Sequence, residues 1–136
     1  WATLLLVTLA AANDCSPSLP SDICDWKTSC TRGVPFWNYP QGVCMWTFTP
    51  EKVSALGTHL TATFRTAWPM TITIFDGPTV EDRVLATYDG DQHPGEDDGC
   101  IEAQGSGRTL LARVQGPPHF LTFGFAFNFN ATVGQC

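Results

Sequence analysis

The chain has 136 residues, a formal net charge of −6 at pH 7 and a pI near 4.7. Its length suits one domain with a single core, and 43% hydrophobic against 15% charged residues excludes a disordered chain. An acidic protein repels phosphate backbones, and its few basic residues form no run, so we expect no nucleic-acid partner.

The first element is an apolar, uncharged segment at residues 2–12, ATLLLVTLAAA. Such a segment matches the hydrophobic core of a signal peptide and is too short to span a bilayer. Ala10 and Ala12 suit signal peptidase, so we predict a signal peptide at 1–12, without its basic n-region, and cleavage after Ala12. A buried core strand is the alternative. The prediction makes the protein secreted and extracellular, with no membrane span beyond the signal peptide.

Residues 13–42 are rich in Cys, Pro, Ser and Asp and show no helical period. We predict a Cys/Pro-rich N-terminal arm that is part of the domain and contains at most one short strand. All six cysteines follow the predicted cleavage point, and an even number in an exported chain predicts three disulfides, whose pairing the sequence leaves open. Without a CxxC pair, zinc is not expected. The cysteines are Cys15, Cys24, Cys30, Cys44, Cys100 and Cys136.

From residue 43 onward, several segments alternate apolar and polar residues with a period of two. Side chains two positions apart share one face of a strand, so each segment offers one apolar face; Val84, Ala86 and Tyr88 are one such set. Turns rich in Gly, Pro and Asp separate the segments. The predicted strands cover 44–48, 60–65, 71–75, 84–88, 110–114 and 121–129, the last with Phe123, Phe125, Phe127 and Phe129 as a core ladder.

One open sheet cannot bury all these apolar faces, whereas two sheets packed face to face can. We therefore predict an all-β fold, an antiparallel two-sheet β-sandwich stabilised by disulfides, with residues 43–136 as its core. A small barrel is the alternative.

Four segments, in order, resemble the CUB domain family. Residues 38–46 resemble its NYP…CxW pattern, and 71–78 resemble LEIYDGP. Residues 105–114 resemble SSGxxLLVRF, and 124–127 resemble the closing GFxAxY strand. The resemblance covers about residues 24–130 and implies a two-sheet sandwich of the CUB-like jelly-roll type. It also implies an extracellular module that binds a protein or a glycan.

The resemblance has implications for the disulfides. Many CUB domains join an early Cys to the Cys of CxW; Cys44 fits the latter, with Cys24 the best-placed partner and Cys15 and Cys30 competing. Asp89 replaces a Cys of the family's second disulfide, so the remaining cysteines must pair in another way. The chain therefore resembles a divergent, CUB-like branch.

Many CUB domains also bind Ca²⁺ through three acidic residues. Met70 and Pro117 occupy two of the matching positions, and no acid occurs from 65 to 75. A thioether and a proline ring cannot replace hard oxygen ligands. We therefore expect that the family's calcium site is lost and that the protein has no metal or other cofactor.

Residues 89–102 contain six acids and no base, with His93 among them. We interpret this segment as a solvated loop between strands, anchored by Cys100. A separate cation site is the alternative. Asn130 begins an N-glycosylation sequon and shares parity with Asn128, so it is predicted to point away from the Phe face and to carry a glycan. An unused sequon is the alternative.

The sequence contains neither GxSxG nor HExxH, so we predict no catalytic residues and no enzyme activity. The predicted recognition surface combines Trp68, Pro117 and His119 with the tip of a hairpin at 77–82, including Glu81 and Asp82. A Trp68 side chain folded over the end of a sheet is the alternative. Rival functions are a secreted structural or defence protein without a specific ligand, and a small secreted hydrolase.

Overall fold

A computed structural model describes residues 26–30, 32–33, 36–37, 42–51, 56–65, 70–92, 98–116, 125–131 and 136. Within these ranges no helix is long and apolar enough to cross a membrane. A single 3₁₀ turn at Gly90–Gln92 interrupts an otherwise all-β arrangement of the described residues. The strands are β1 Trp26–Thr28, β2 Arg32–Gly33, β3 Phe36–Trp37, β4 Gly42–Phe48, β5 His59–Arg65, β6 Thr71–Phe75, β7 Val84–Asp89, β8 Asp98–Gln104, β9 Leu110–Gly116 and β10 Phe125–Asn130.

The strands form two sheets. The first sheet has the order β1-β4-β9-β6-β7, and the second has the order β2-β10-β5-β8, with β3 also pairing with β10. All described pairs are antiparallel except β1 with β4, which is parallel. The predicted all-β, two-sheet sandwich is confirmed, and the short strands β1 to β3 show more regular structure in the N-terminal arm than its composition suggested.

The core lies between the sheets and follows the predicted alternation. Trp46 and Phe48 of β4 are fully buried, and so are the inward residues of β9 beside it. Phe48 meets Phe129 of the other sheet edge to face, with ring centroids 4.7 Å apart. Phe129 is the member of the predicted ladder whose side chain the structure describes. Full burial of such side chains stabilises the fold by about 1.5–3 kcal/mol each.

A β-bulge changes the face on which β7 begins. Ile74 pairs with Ala86, but Phe75 pairs with Val84, so one residue of β7 is skipped. Ala86 and Tyr88 pack against the core, whereas Val84 is 52% exposed. The prediction that Val84 shares the apolar face of Ala86 and Tyr88 is therefore wrong, because one extra residue reverses the alternation.

The acidic segment 89–102 begins and ends in strand. Asp89 ends β7, and β8 pairs with β5 along its whole length. Ile101 and Ala103 are buried, while Glu102 between them is exposed. The solvated-loop interpretation is wrong for residues 98–102, because Asp98 and Glu102 lie on the outer face of edge strand β8, whose apolar residues face the core. Residues 93–97 lie outside the described ranges.

Disulfide bonds cross-link the described part of the fold. Cys100 of β8 is bonded to Cys136, with Cα atoms 5.6 Å apart and a sequence separation of 36. In the chain-entropy treatment a loop of this length contributes about 3–4 kcal/mol. Cys30 and Cys44 are also disulfide-bonded, and no described cysteine is free. Cys15 and Cys24 lie outside the described residues.

Candidate interaction site at the hairpin end

The strand register defines two ends of the sandwich. At one end Phe75 of β6 pairs with Val84 and with Leu111. The hairpin between β6 and β7 therefore lies beside the turn between β8 and β9. The segment that leads into β5 lies against the turn between β8 and β9, because the Gly105 N–H donates to the Thr58 carbonyl at 2.8 Å. We call this surface, residues 56–58, 76–84 and 105–109, the hairpin end.

The predicted recognition surface can be located only for its described residues. Glu81 and Asp82 lie at the hairpin end. Met70 and Gly116, which flank the segments containing Trp68, Pro117 and His119, lie at the opposite end, where Thr71 pairs with Gln115. The two ends are separated by β6, whose five residues span about 16 Å. Trp68, Pro117 and His119 themselves lie outside the described residues.

Asp76 is the centre of the hydrogen-bond network at the hairpin end. One carboxylate oxygen accepts the Ser106 N–H at 2.9 Å, and the other accepts the Ser106 hydroxyl at 2.7 Å and Arg83 Nη2 at 3.2 Å. The side chain is only 7% exposed. The hydrogen bonds from Ser106, backbone first, lower the pKa of Asp76, and Arg83 adds to the effect against the opposing influence of burial. The carboxylate thus ties the hairpin to the neighbouring turn.

The tip of the hairpin is organised by Asp82. Its carboxylate accepts the Thr79 N–H at 2.9 Å and the Thr79 hydroxyl at 3.1 Å, and its own N–H donates to the Thr79 carbonyl at 3.2 Å. Gly77 has φ +148°, and a Cβ there would collide with the Asp82 carboxylate. Asp82 therefore serves the turn itself, while the side chain of Glu81 is exposed.

The segment before β5 packs against the turn between β8 and β9. The Thr58 N–H donates to the Gly107 carbonyl at 2.8 Å, and the Thr58 hydroxyl donates to the Arg108 carbonyl. Gly57 has φ +106°, and a Cβ on it would lie 2.5 Å from the Gly105 carbonyl oxygen. Only glycine combines this backbone angle with so close an approach.

Most of the exposed large apolar side chains lie at this end. Among the described residues these are Leu56 at 74%, Val84 at 52%, Val43 at 44% and Val80 at 39% exposure, and all except Val43 belong to the hairpin end. Val43 pairs with Gln115 near the opposite end. Apolar side chains displayed on ordered loops are a common basis of protein recognition.

A second polar cluster, which sequence reasoning missed, lies on the outer face of β5 and β8. His59 Nε2 is 3.0 Å from Glu102 Oε2, and His59 Nδ1 is 3.1 Å from Gln104 Oε1. The Gln104 amide also donates to the Gly105 carbonyl at 3.0 Å. These residues become neighbours only through the pairing of β5 with β8, and no local motif marks them.

The predicted metal and glycan positions can be placed in part. Met70 is fully buried in the core, so its side chain faces away from solvent. The described ranges contain no group of three or more His, Cys, Asp or Glu side chains that could hold a metal ion. Asn130 ends β10, is half-buried and follows the fully buried Phe129. Its glycosylation stays a prediction.

Fold and site together define a disulfide-bonded β-sandwich protein with an ordered, loop-built surface at one end. No protein-family model matches the chain, and no curated protein matches it. Among solved structures, it is similar to Aeromonas hydrophila PliG, a periplasmic lysozyme inhibitor of g-type lysozyme, with 11% sequence identity and a TM-score of 0.51. The similarity covers 82% of this chain and 98% of PliG. At this identity the likeness establishes the fold alone.

Proposed function

We propose that this protein is a secreted, non-catalytic module that binds an extracellular protein through the hairpin end. The observation that carries the proposal is the exposure of Leu56, Val80 and Val84 at the hairpin end, where the Asp76 carboxylate ties the hairpin to the turn between β8 and β9. Loops that are already ordered lose little conformational freedom on binding, so more of the contact energy becomes affinity.

Secretion is supported by the disulfides. The Cys100–Cys136 bond and the bonded state of Cys30 and Cys44 require an oxidising compartment in an ordinary cell. The apolar segment at 2–12, with the properties of a signal-peptide core, agrees with that compartment.

A binding role, rather than catalysis, is supported by the structural hydrogen bonds that the carboxylates of the hairpin end make. Asp76, a nearly buried carboxylate, accepts structural hydrogen bonds on both oxygens, and Asp82 accepts two from Thr79 on one oxygen within the turn. PliG, which shares the fold, is described as an inhibitor of another protein rather than as an enzyme. Inhibition of a secreted enzyme is therefore the first form of protein binding to test.

Kinship with CUB domains is part of the proposal. The CxW residues lie on β4, the TITIFDGP segment forms β6 and the turn after it, and the LLARV segment lies on β9. These strands are adjacent in the first sheet, in the order β4-β9-β6. Three of the resembling segments thus form one continuous part of the fold, which supports a common origin more than scattered matches would.

The test is a binding panel read by surface plasmon resonance, with g-type lysozyme and other secreted enzymes in one arm and soluble oligosaccharides in the other. We expect a protein ligand, with binding weakened at least tenfold by Val80→Ser and unchanged by the matched exposed-valine control Val43→Ser. Trp68→Ala tests the separate sequence-based prediction that Trp68 contributes to recognition. Capture of oligosaccharides alone, or equal binding by Val80→Ser and the parent protein, would contradict the proposal.

A further inference from the structure

The fold brings the terminal strands of the two sheets together at one edge. β7 ends the first sheet and β8 ends the second. The rings of Tyr88 in β7 and Phe64 in β5 pack edge to face, with centroids 4.8 Å apart. A Cβ on Gly99 of β8 would lie 2.9 Å from the Tyr88 ring, so β8 is also close to β7. β7 and β8 therefore form one continuous lateral surface, which runs from the hairpin end to the opposite end of the sandwich.

Among the described residues, this lateral surface and the one across the molecule differ in the balance of charge. The strands that end the sheets on the far side, β1 and β2, expose the bases Lys27 and Arg32. On the β7–β8 side, Arg83 is bonded to Asp76, and Arg65 is the register partner of Asp98. The described acids on the β7–β8 side are Glu81, Asp82, Asp89, Asp91, Asp98 and Glu102.

The exposed valines of the hairpin adjoin these acids. Val80 and Val84 lie on either side of Glu81 in sequence, at the point where the acidic side begins. An apolar centre with a charged rim is the usual composition of a protein interface. The six residues of β7 span about 20 Å. A standard interface of about 800 Å² per partner has a width of similar magnitude.

We infer that the partner is a cationic protein, which covers Val80 and Val84 and extends along the acidic β7–β8 edge. The inference rests on the proposed function and adds the chemistry of the partner, argued from charge complementarity. Opposite charges at a rim mainly accelerate encounter, so the association rate depends on ionic strength, while the valines affect the dissociation rate.

The test uses cytochrome c and ribonuclease A as cationic probes and serum albumin as an acidic comparator, at low and physiological salt. The double variant Glu81→Gln with Asp91→Asn removes two charges from the edge. A matched control, Ser29→Lys with Gln115→Lys, changes the net charge by the same amount at exposed positions away from it. Val84→Ser tests the apolar contact, with Val43→Ser as its control.

We expect the cationic probes to bind and albumin not to bind. The edge variant should reduce the association rate at low salt about five- to tenfold, and its control less than twofold. Equal losses in both double variants would mean attraction to the net charge alone and would overturn the inference, as would absence of binding by both cationic probes. If a neutral or acidic protein binds through Val80 in the earlier panel, the proposed function stands and this inference fails.

Discussion

Asp76 and the His59–Glu102 pair are both charged contacts close to the turn between β8 and β9, but their surroundings differ. Asp76 is 7% exposed and accepts bonds from both the backbone and the hydroxyl of Ser106. The His59 and Glu102 side chains are 21% and 37% exposed. Water competes for the exposed His59 and Glu102 side chains, and exposed ion pairs contribute about 0–1 kcal/mol to the free energy of unfolding. Burial, rather than the formal charges, therefore decides which contact matters at the hairpin end.

The largest effect should come from the segment before β5, which packs directly against the turn between β8 and β9. Gly57→Ala places a Cβ against the Gly105 carbonyl at a backbone angle that only glycine adopts readily. We expect a loss of about 2–3 kcal/mol in the free energy of unfolding, measured by urea denaturation. Gly107→Ala, where a Cβ would meet nothing within 4 Å, is the control and should change stability little. Equal effects in the two variants would mean that the close packing of Gly57 is unimportant.

Asp76→Asn tests the buried contact directly. The amide would direct a donor at either the Ser106 N–H or the Arg83 guanidinium, and it lacks the charge that strengthens these bonds. At pH 7 we expect a loss of about 1–3 kcal/mol in urea denaturation. Glu81→Gln, an exposed acid on the same hairpin, should change stability by less than about 0.5 kcal/mol.

The pH dependence of stability distinguishes the effect of the Asp76 charge from the effect of its hydrogen-bonding geometry. Because the pKa of Asp76 is lowered on folding from an ordinary value of 3.8, its ionised form stabilises the fold fully above that value. The contribution is lost as the pH falls through the lower pKa of the folded state. The stability difference between the parent protein and Asp76→Asn should therefore be constant from pH 7 to 5 and shrink below about pH 4. A difference that persists unchanged to pH 2 would show that charge is not its cause.

The smallest effect should come from Glu102→Gln, which removes the charge facing His59. We expect less than about 1 kcal/mol at pH 6 and a smaller difference at 0.5 M NaCl, because salt screens exposed pairs. Thermal unfolding at the two salt concentrations measures it. A loss as large as that of Asp76→Asn would refute the argument from burial.

Strand prediction succeeded where each strand has a strong apolar face. β4, β5, β6 and β9 follow the alternation of their own residues, and Trp46, Leu60, Ile72 and Leu110 are all buried as expected. β8 was missed because Ile101 and Ala103 alone mark its inner face among acidic neighbours. The start of β7 was assigned to the wrong face because a bulge is a property of two paired strands, and the sequence of β7 alone does not show it.

The site was predicted less completely than the fold. The Asp-Gly-Pro signal at 76–78 located the hairpin, and with it Glu81 and Asp82. It gave no sign that Asp76 would bind Ser106, which lies 30 residues away in sequence. Nor could it show that this hairpin and the described residues Met70 and Gly116 lie at opposite ends of the molecule. The predictions for Trp68, Pro117 and His119 stay predictions.

By itself the sequence determined which side chains of β4, β5, β6 and β9 face inward, because alternation along an extended strand is a local property that each segment carries in its own residues. Only the tertiary structure decided which turns become neighbours, because that depends on the order and register in which distant strands pair. The antiparallel pairing of β6 with β9 brings 105–109 beside 76–83, and so turns Asp76 from a turn residue into the link between two loops.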